Sequence, residues 1–148
     1  RIARRQRQMC IRDRSYPAMK EAGVDVRLGT DGSASNNSLD LRAEAKAASL
    51  VQRHDHWDAR ILGPEQTWDL ATKGSQDWIT WDLSDIRMRP FGRDGRRLLS
   101  NLIYSGAKVL DVFVGGEAVR RDGRTLTLEE DVVAEELEES VTEYYQDV

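Results

Sequence analysis

A carboxylate set in a tight, glycine-flanked loop straight after an alternating apolar segment is the residue of this chain best placed to do chemistry. Leu28-Gly29-Thr30-Asp31-Gly32-Ser33-Ala34-Ser35-Asn36-Asn37 holds that group in Asp31. Such a carboxylate can accept a proton from a water or bind a cation. Gly29 and Gly32 let the backbone run close to a bound group with no Cβ in the way. Ser33, Asn36 and Asn37 are the supporting candidates, orienting Asp31 or touching a substrate. They serve equally well as caps for a following helix. An Asp between glycines also does well as a plain turn residue.

The elements around the loop decide what Asp31 can reach. Val24-Asp25-Val26-Arg27-Leu28 alternates apolar and polar residues, which predicts a strand. Leu39–Gln52 is Ala-rich and free of Gly and Pro, with Leu39, Ala43, Ala47 and Leu50 at helical spacing, capped by Asn37 or Ser38. Strand, loop and helix place Asp31 at the carboxyl end of a strand, where barrel and open α/β folds keep their chemistry.

The string Leu-Gly-Thr-Asp-Gly-x-x-Ser-Asn-Asn, followed by Leu39-Asp40, resembles the last barrel strand of the metal-dependent amidohydrolase superfamily. Within it the chain resembles the branch of S-adenosylhomocysteine and methylthioadenosine deaminases and related chlorohydrolases. Asn101-Leu102-Ile103-Tyr104-Ser105 and the block from Val112 to Gly123 resemble that family's late helical segment and closing hairpin, in the family's order. The resemblance implies an α/β fold: the last strand and helix of a (β/α)8 barrel in residues 15–75, then part of a small β-sandwich with a terminal helix in residues 76–148. It implies that Asp31 is both a catalytic residue and a metal ligand, accepting the proton of the attacking water. The implied cofactor is a divalent metal, zinc first and iron second, and the implied substrate is a small molecule such as a purine-type amine. It also allows a homo-oligomeric whole protein.

A complete barrel needs about 250 residues, and this chain has 148. The family's His-x-His, its two further histidines and its acidic Glu find no counterpart, so the chain is expected to be a carboxyl-terminal piece, inactive alone. His54-Asp55-His56 has His-x-His spacing but follows a helix instead of ending an apolar strand, so it is read as ordinary loop or helix-end histidines. The other reading of the whole chain is a non-enzymatic oligomerisation or interaction module.

Residues 1–14 stand apart. They hold six Arg and one Asp, leaving 16 basic and 25 acidic residues and a net charge of −9 in the remainder. Met9-Cys10-Ile11-Arg12-Asp13-Arg14 matches one reading frame of a sequencing-library transposon end, so this segment is expected to be an assembly artefact. Without it the sequence has no cysteine, which excludes disulfides and thiolate metal sites. An acidic balance argues against nucleic acid, and no apolar run suits a membrane span. Cytoplasmic residence is the plain expectation.

Downstream, the pattern predicts a short helix from Gly63-Pro64 to Gly74. At Ser75-Gln76 the chain departs from the family, running straight into Asp77-Trp78 where relatives start the sandwich. Strands are expected at Trp78–Leu83, Val109–Val114, Glu117–Arg121 and Arg124–Leu126, with tight turns at Gly115-Gly116 and Asp122-Gly123. Trp78 and Trp81 are read as sandwich core or rim. Thr127 and Glu130 form a capping-box pattern ahead of a helix with the apolar stripe Val133, Leu137, Val141 and Tyr144 or Tyr145.

Overall fold

The computed structural model describes residues 15–146, so the artefact expected at residues 1–14 lies outside the described residues. The helices are α1 (Tyr16–Glu21), α2 (Leu41–His56), α3 (Pro64–Thr72), α4 (Gly95–Ser105) and α5 (Glu130–Gln146). The strands are β1 (Trp78–Trp81), β2 (Val109–Val114), β3 (Glu117–Arg121) and β4 (Arg124–Thr125). Two compact units share the chain: one takes the described residues through Gly74 plus Asp85–Gly106, the other Ser75–Ser84 and the chain from Ala107 onward. Residues 76–148 are thus divided between them.

The helical unit packs α2, α3 and α4 against one another. Its core is Ala45, Ala48, Leu62, Met88, Leu102 and Ile103, with Ser49, Gln52 and Thr67 buried among them. The buried stripe of α2 is therefore Ala45, Ala48, Ser49 and Gln52, spaced i, i+3, i+4, i+7. It is not the set Leu39, Ala43, Ala47 and Leu50 whose helical spacing marks the helix in the sequence; Leu39 and Leu50 are exposed. Small residues win that face because they let helices approach closely, and the two polar ones are satisfied by hydrogen bonds. Ser49 Oγ donates to the Leu62 carbonyl at 2.9 Å and meets the Tyr104 hydroxyl at 2.6 Å.

Three further expectations change. Val24–Leu28 forms no strand. A ladder needs a neighbour, and the backbone bond this segment makes to α3 is a single one, Leu28 N–H to the Leu70 carbonyl at 2.9 Å. Ion pairs do the rest: Lys73 Nζ sits 2.7 Å from Asp25, and Arg27 donates to both Asp25 and the Lys73 carbonyl. Second, α2 starts two residues later than read, with Asp40 as the N-cap in place of Asn37 or Ser38. Asp40 Oδ1 accepts from the backbone N–H of Arg42 and of Ala43. Third, α2 runs on to His56, four residues past the Gln52 at which the sequence reading ends it.

The second unit is an antiparallel meander in the order β1-β2-β3-β4. Its turns follow from sequence chemistry. Gly115 and Gly116 have φ of 59° and 88°, Asp122 and Gly123 of 51° and 78°. Two successive positive φ values are what a two-residue hairpin turn of matching twist requires, and Gly and Asp tolerate them. Trp78 pairs with Phe113 in register and stacks on it, with ring centroids 3.7 Å apart. The described residues carry this one sheet.

The ladder is irregular between Ile79 and Trp81. There a side chain replaces the backbone: Thr80 Oγ1 accepts from Asp111 N–H at 3.0 Å and donates to Asp111 Oδ2 at 2.7 Å. Asp111 Oδ1 accepts from Asp122 N–H at 3.0 Å, so one carboxylate ties β1, β2 and the β3–β4 turn.

The α5 entry also differs from the sequence reading. The Glu130 carboxylate accepts from Thr125 Oγ1 and from Arg120 Nη1 instead of closing a box with Thr127. A guanidinium is the stronger donor. The stripe Val133, Leu137, Val141, Tyr144 and Tyr145 is exposed along its length.

This packing can be tested in each unit. Ser49→Ala leaves the Tyr104 hydroxyl short of a partner and takes one of three donors from the Leu62 carbonyl, so it should lower unfolding stability by about 1–3 kcal/mol, read as a lower urea midpoint. In the sheet, the Thr80 hydroxyl, then the Asp122 N–H, hold the Asp111 carboxyl below its ordinary value of 3.8. A depressed folded-state value stabilises the sheet above the unfolded value, and that stability drains as pH falls through the folded one. The gap in thermal midpoint between wild type and Asp111→Asn should therefore narrow as pH drops below about 4. A gap that stays constant to acid pH would contradict this role of Asp111.

Candidate functional site

Asp31 lies in the loop between the extended segment ending at Leu28 and α2. Its backbone is left-handed, with φ of 60°, which Asp adopts more readily than most residues but at a cost. The side chain and the loop compensate. Gly32 N–H donates to Asp31 Oδ1 at 2.7 Å, and Thr30 Oγ1 donates to the Asp31 carbonyl at 3.1 Å. The N–H groups of Ser35 and Asn36 both reach the Gly32 carbonyl at 3.0 Å. Asp31 is exposed, and among the described residues nothing bonds its second carboxylate oxygen.

The supporting residues separate. Asn36, half-buried, donates through Nδ2 to the Thr30 carbonyl at 3.1 Å and to Glu44 Oε1 at 2.6 Å. Ser33 and Asn37 are exposed, and their side chains form no hydrogen bond to a described residue. Glu44, in the first turn of α2, was missed by the sequence reading; the signal was available as an acidic residue in a first helical turn. Gly29 and Gly32 are not demanded by φ or by packing here, since a Cβ on either meets nothing within 4 Å. The space beside Asp31 is open.

His54 and His56 sit in the last turn of α2 and away from the loop's hydrogen bonds. His56 Nε2 lies 3.1 Å from Ser15 Oγ, and His54 packs at a tilt on Trp57 with centroids 5.7 Å apart. Asp55 is 3.9 Å from the same Nε2 that meets Ser15, so the three do not line up as a nucleophile, base and orienting acid. Among the described residues no three His, Cys, Asp or Glu side chains gather as a metal site. Asp31 therefore offers one ligand oxygen, where a catalytic zinc takes about three protein ligands.

The chain is similar to known proteins over most of its length. The 5-methylthioadenosine/S-adenosylhomocysteine deaminase of Bacillus thuringiensis strain Al Hakam is 36% identical over 133 residues, 77% of this chain and 30% of the relative. Its counterpart in Bacillus cytotoxicus is 35% identical over 130 residues, with the same coverage of both chains. A zinc-bound adenosine deaminase from Xanthomonas campestris superposes with a TM-score of 0.72 at 25% identity, covering 82% of this chain and 31% of that one. No protein-family profile matches the chain.

The chain belongs to the metal-dependent amidohydrolase family. It spans about 30% of the length of the curated relatives it matches. Its mixed α/β architecture with a small antiparallel sheet is similar to that of the adenosine deaminase; of the last barrel strand and helix expected from the sequence, the described residues form the helix and not the strand.

Proposed function

We propose that this chain is the carboxyl-terminal part of a hydrolytic deaminase acting on an adenosine-like amine, and that Asp31 is its reacting carboxylate. One observation carries the reading: Asp31, exposed, is held by its own loop through Oδ1 while its other oxygen has no partner among the described residues. The names of the relatives support the reaction class, and the bound zinc of the structural neighbour supports a divalent metal.

The donor set fits a metal in part. Asp31 would supply one ligand, and the remaining ligands would come from barrel strands outside residues 15–146. A divalent metal, when bound, makes water nucleophilic near neutral pH. Asp31 would accept a proton from the water whose oxygen bonds to the amine-bearing carbon, and would pass it to the nitrogen as the C–N bond breaks. The Gly32 N–H holds Oδ1 and so orients the carboxylate. Ser33 and Asn37 face solvent in this loop, where they are available to a substrate, while Asn36 is committed to the loop itself. The Val24–Leu28 segment would complete its ladder against further barrel strands.

Described residues contain no helix long and apolar enough to cross a membrane, and the net charge of −4 disfavours a nucleic-acid partner, so a small-molecule substrate is the partner proposed. A second reading, an interaction module, is favoured by the exposed stripe of α5, where Leu137 is 63% and Val141 45% accessible. The two make different forecasts. Calorimetric titration of zinc into the 148-residue chain alone should show no tight site. In the whole enzyme containing this chain, Asp31→Asn should cut kcat by at least about 10²-fold with the fold retained. An unchanged kcat would remove Asp31 from the chemistry.

A further inference from the structure

We propose that Glu44 is a positioning residue, acting through Asn36 to hold the Thr30–Asp31 backbone in the form that leaves one Asp31 oxygen free. The inference rests on the reading of Asp31 as the reacting carboxylate and adds the device that fixes it. The Asn36 side-chain amide is shared between two acceptors, Glu44 Oε1 at 2.6 Å and the Thr30 carbonyl at 3.1 Å. The first is a short, charge-assisted bond, and an amide polarised by a carboxylate is a better donor to its second acceptor. That second acceptor is the carbonyl directly ahead of Asp31, so the pull is exerted on the peptide that sets the φ of 60°.

Glu44 is suited to anchor the loop because its own backbone cannot drift. It is followed by Ala45, fully buried, and α2 is fixed beyond it by Ala48 and Ser49 in the helical core. A first-turn Glu is ordinarily explained by the helix dipole alone. That explanation needs no amide at hydrogen-bond distance. Glu44 forms no ion pair among the described residues, and Asn36 is the side chain it meets. The chain of contacts is therefore core, α2, Glu44, Asn36, Thr30 carbonyl, Asp31.

Hydrogen–deuterium exchange of the chain reads this without metal or substrate, at the bonded amides of Gly32, Ser35 and Asn36. Glu44→Ala should speed their exchange about tenfold while the α2 amides of residues 48–52 keep their protection. Glu44→Gln should retain most of the protection, since its side-chain carbonyl still accepts. Asn36→Asp sets two carboxylates together and should loosen the loop. Adding Glu44→Gln to it should not restore protection, because a carboxylate at position 36 still has no proton to give the Thr30 carbonyl.

Loop exchange unaltered in Glu44→Ala would overturn the proposal. So would a double variant as protected as wild type, loosening spread evenly through α2, or a wild-type loop that exchanges like free peptide. These readouts stand apart from the kcat of Asp31→Asn: a firm clamp with an unaffected kcat would refute the catalytic reading and leave the clamp standing.

Discussion

The Leu62 carbonyl is the group on which the helical unit turns. Leu62 is 2% exposed and left-handed, with φ of 48°, and a buried carbonyl without donors would cost several kcal/mol. It is satisfied three times over: by Ser49 Oγ and Arg53 Nη2 from α2, and by Thr67 Oγ1 from α3. These bonds fix the separation of the two helices, and Tyr104, bonded to Ser49, brings in α4. The face of α2 toward them must then be small, which is why Ala45 and Ala48 occupy it. Because α2 is pinned in this way, its first turn has a fixed position from which Glu44 meets Asn36. The geometry at Asp31 is thus a remote consequence of satisfying one peptide oxygen.

The sheet obeys a different logic, in which turns set the register and side chains repair it. Positive φ at Gly115-Gly116 and Asp122-Gly123 fixes both hairpins locally. Where β1 and β2 fall out of step, the Thr80 hydroxyl and the Asp111 carboxylate stand in for missing ladder bonds. Arg120 works similarly at the far edge, donating to the Gly123 carbonyl, Thr125 and Glu130, so that the start of α5 is tied to the sheet although its stripe is not covered.

What could be read in the sequence was what short-range chemistry decides. The paired turns, the Pro64 helix start, the α4 segment and the Asp31 loop all announce themselves in a few consecutive residues. The buried face of α2 was not legible because it mixes Ala with Ser and Gln, and hydropathy cannot tell a polar residue bonded to a buried carbonyl from one in water. Asp40 outcompeted Asn37 and Ser38 as the cap because its carboxylate serves two N–H groups at once. Val24–Leu28 has the right alternation for a strand, yet strand identity is a property of a pair. No alternating pattern supplies the second member.

The same distinction bears on Asp31. A loop carboxylate is legible as chemistry when its surroundings explain its type better than structure does, and here the structural needs can be separated. Capping of α2 is done by Asp40, not by Asp31. A turn at φ of 60° is met more cheaply by Gly or Asn. The Gly32 N–H needs one acceptor, and an Asn side-chain oxygen would provide it. What Asp alone adds is a negative charge and a second oxygen, and in this loop neither is used by any described residue. The unneeded part of the side chain is the part that proton transfer and metal ligation require. That mismatch supports the role proposed for Asp31 without any appeal to the loop's sequence pattern.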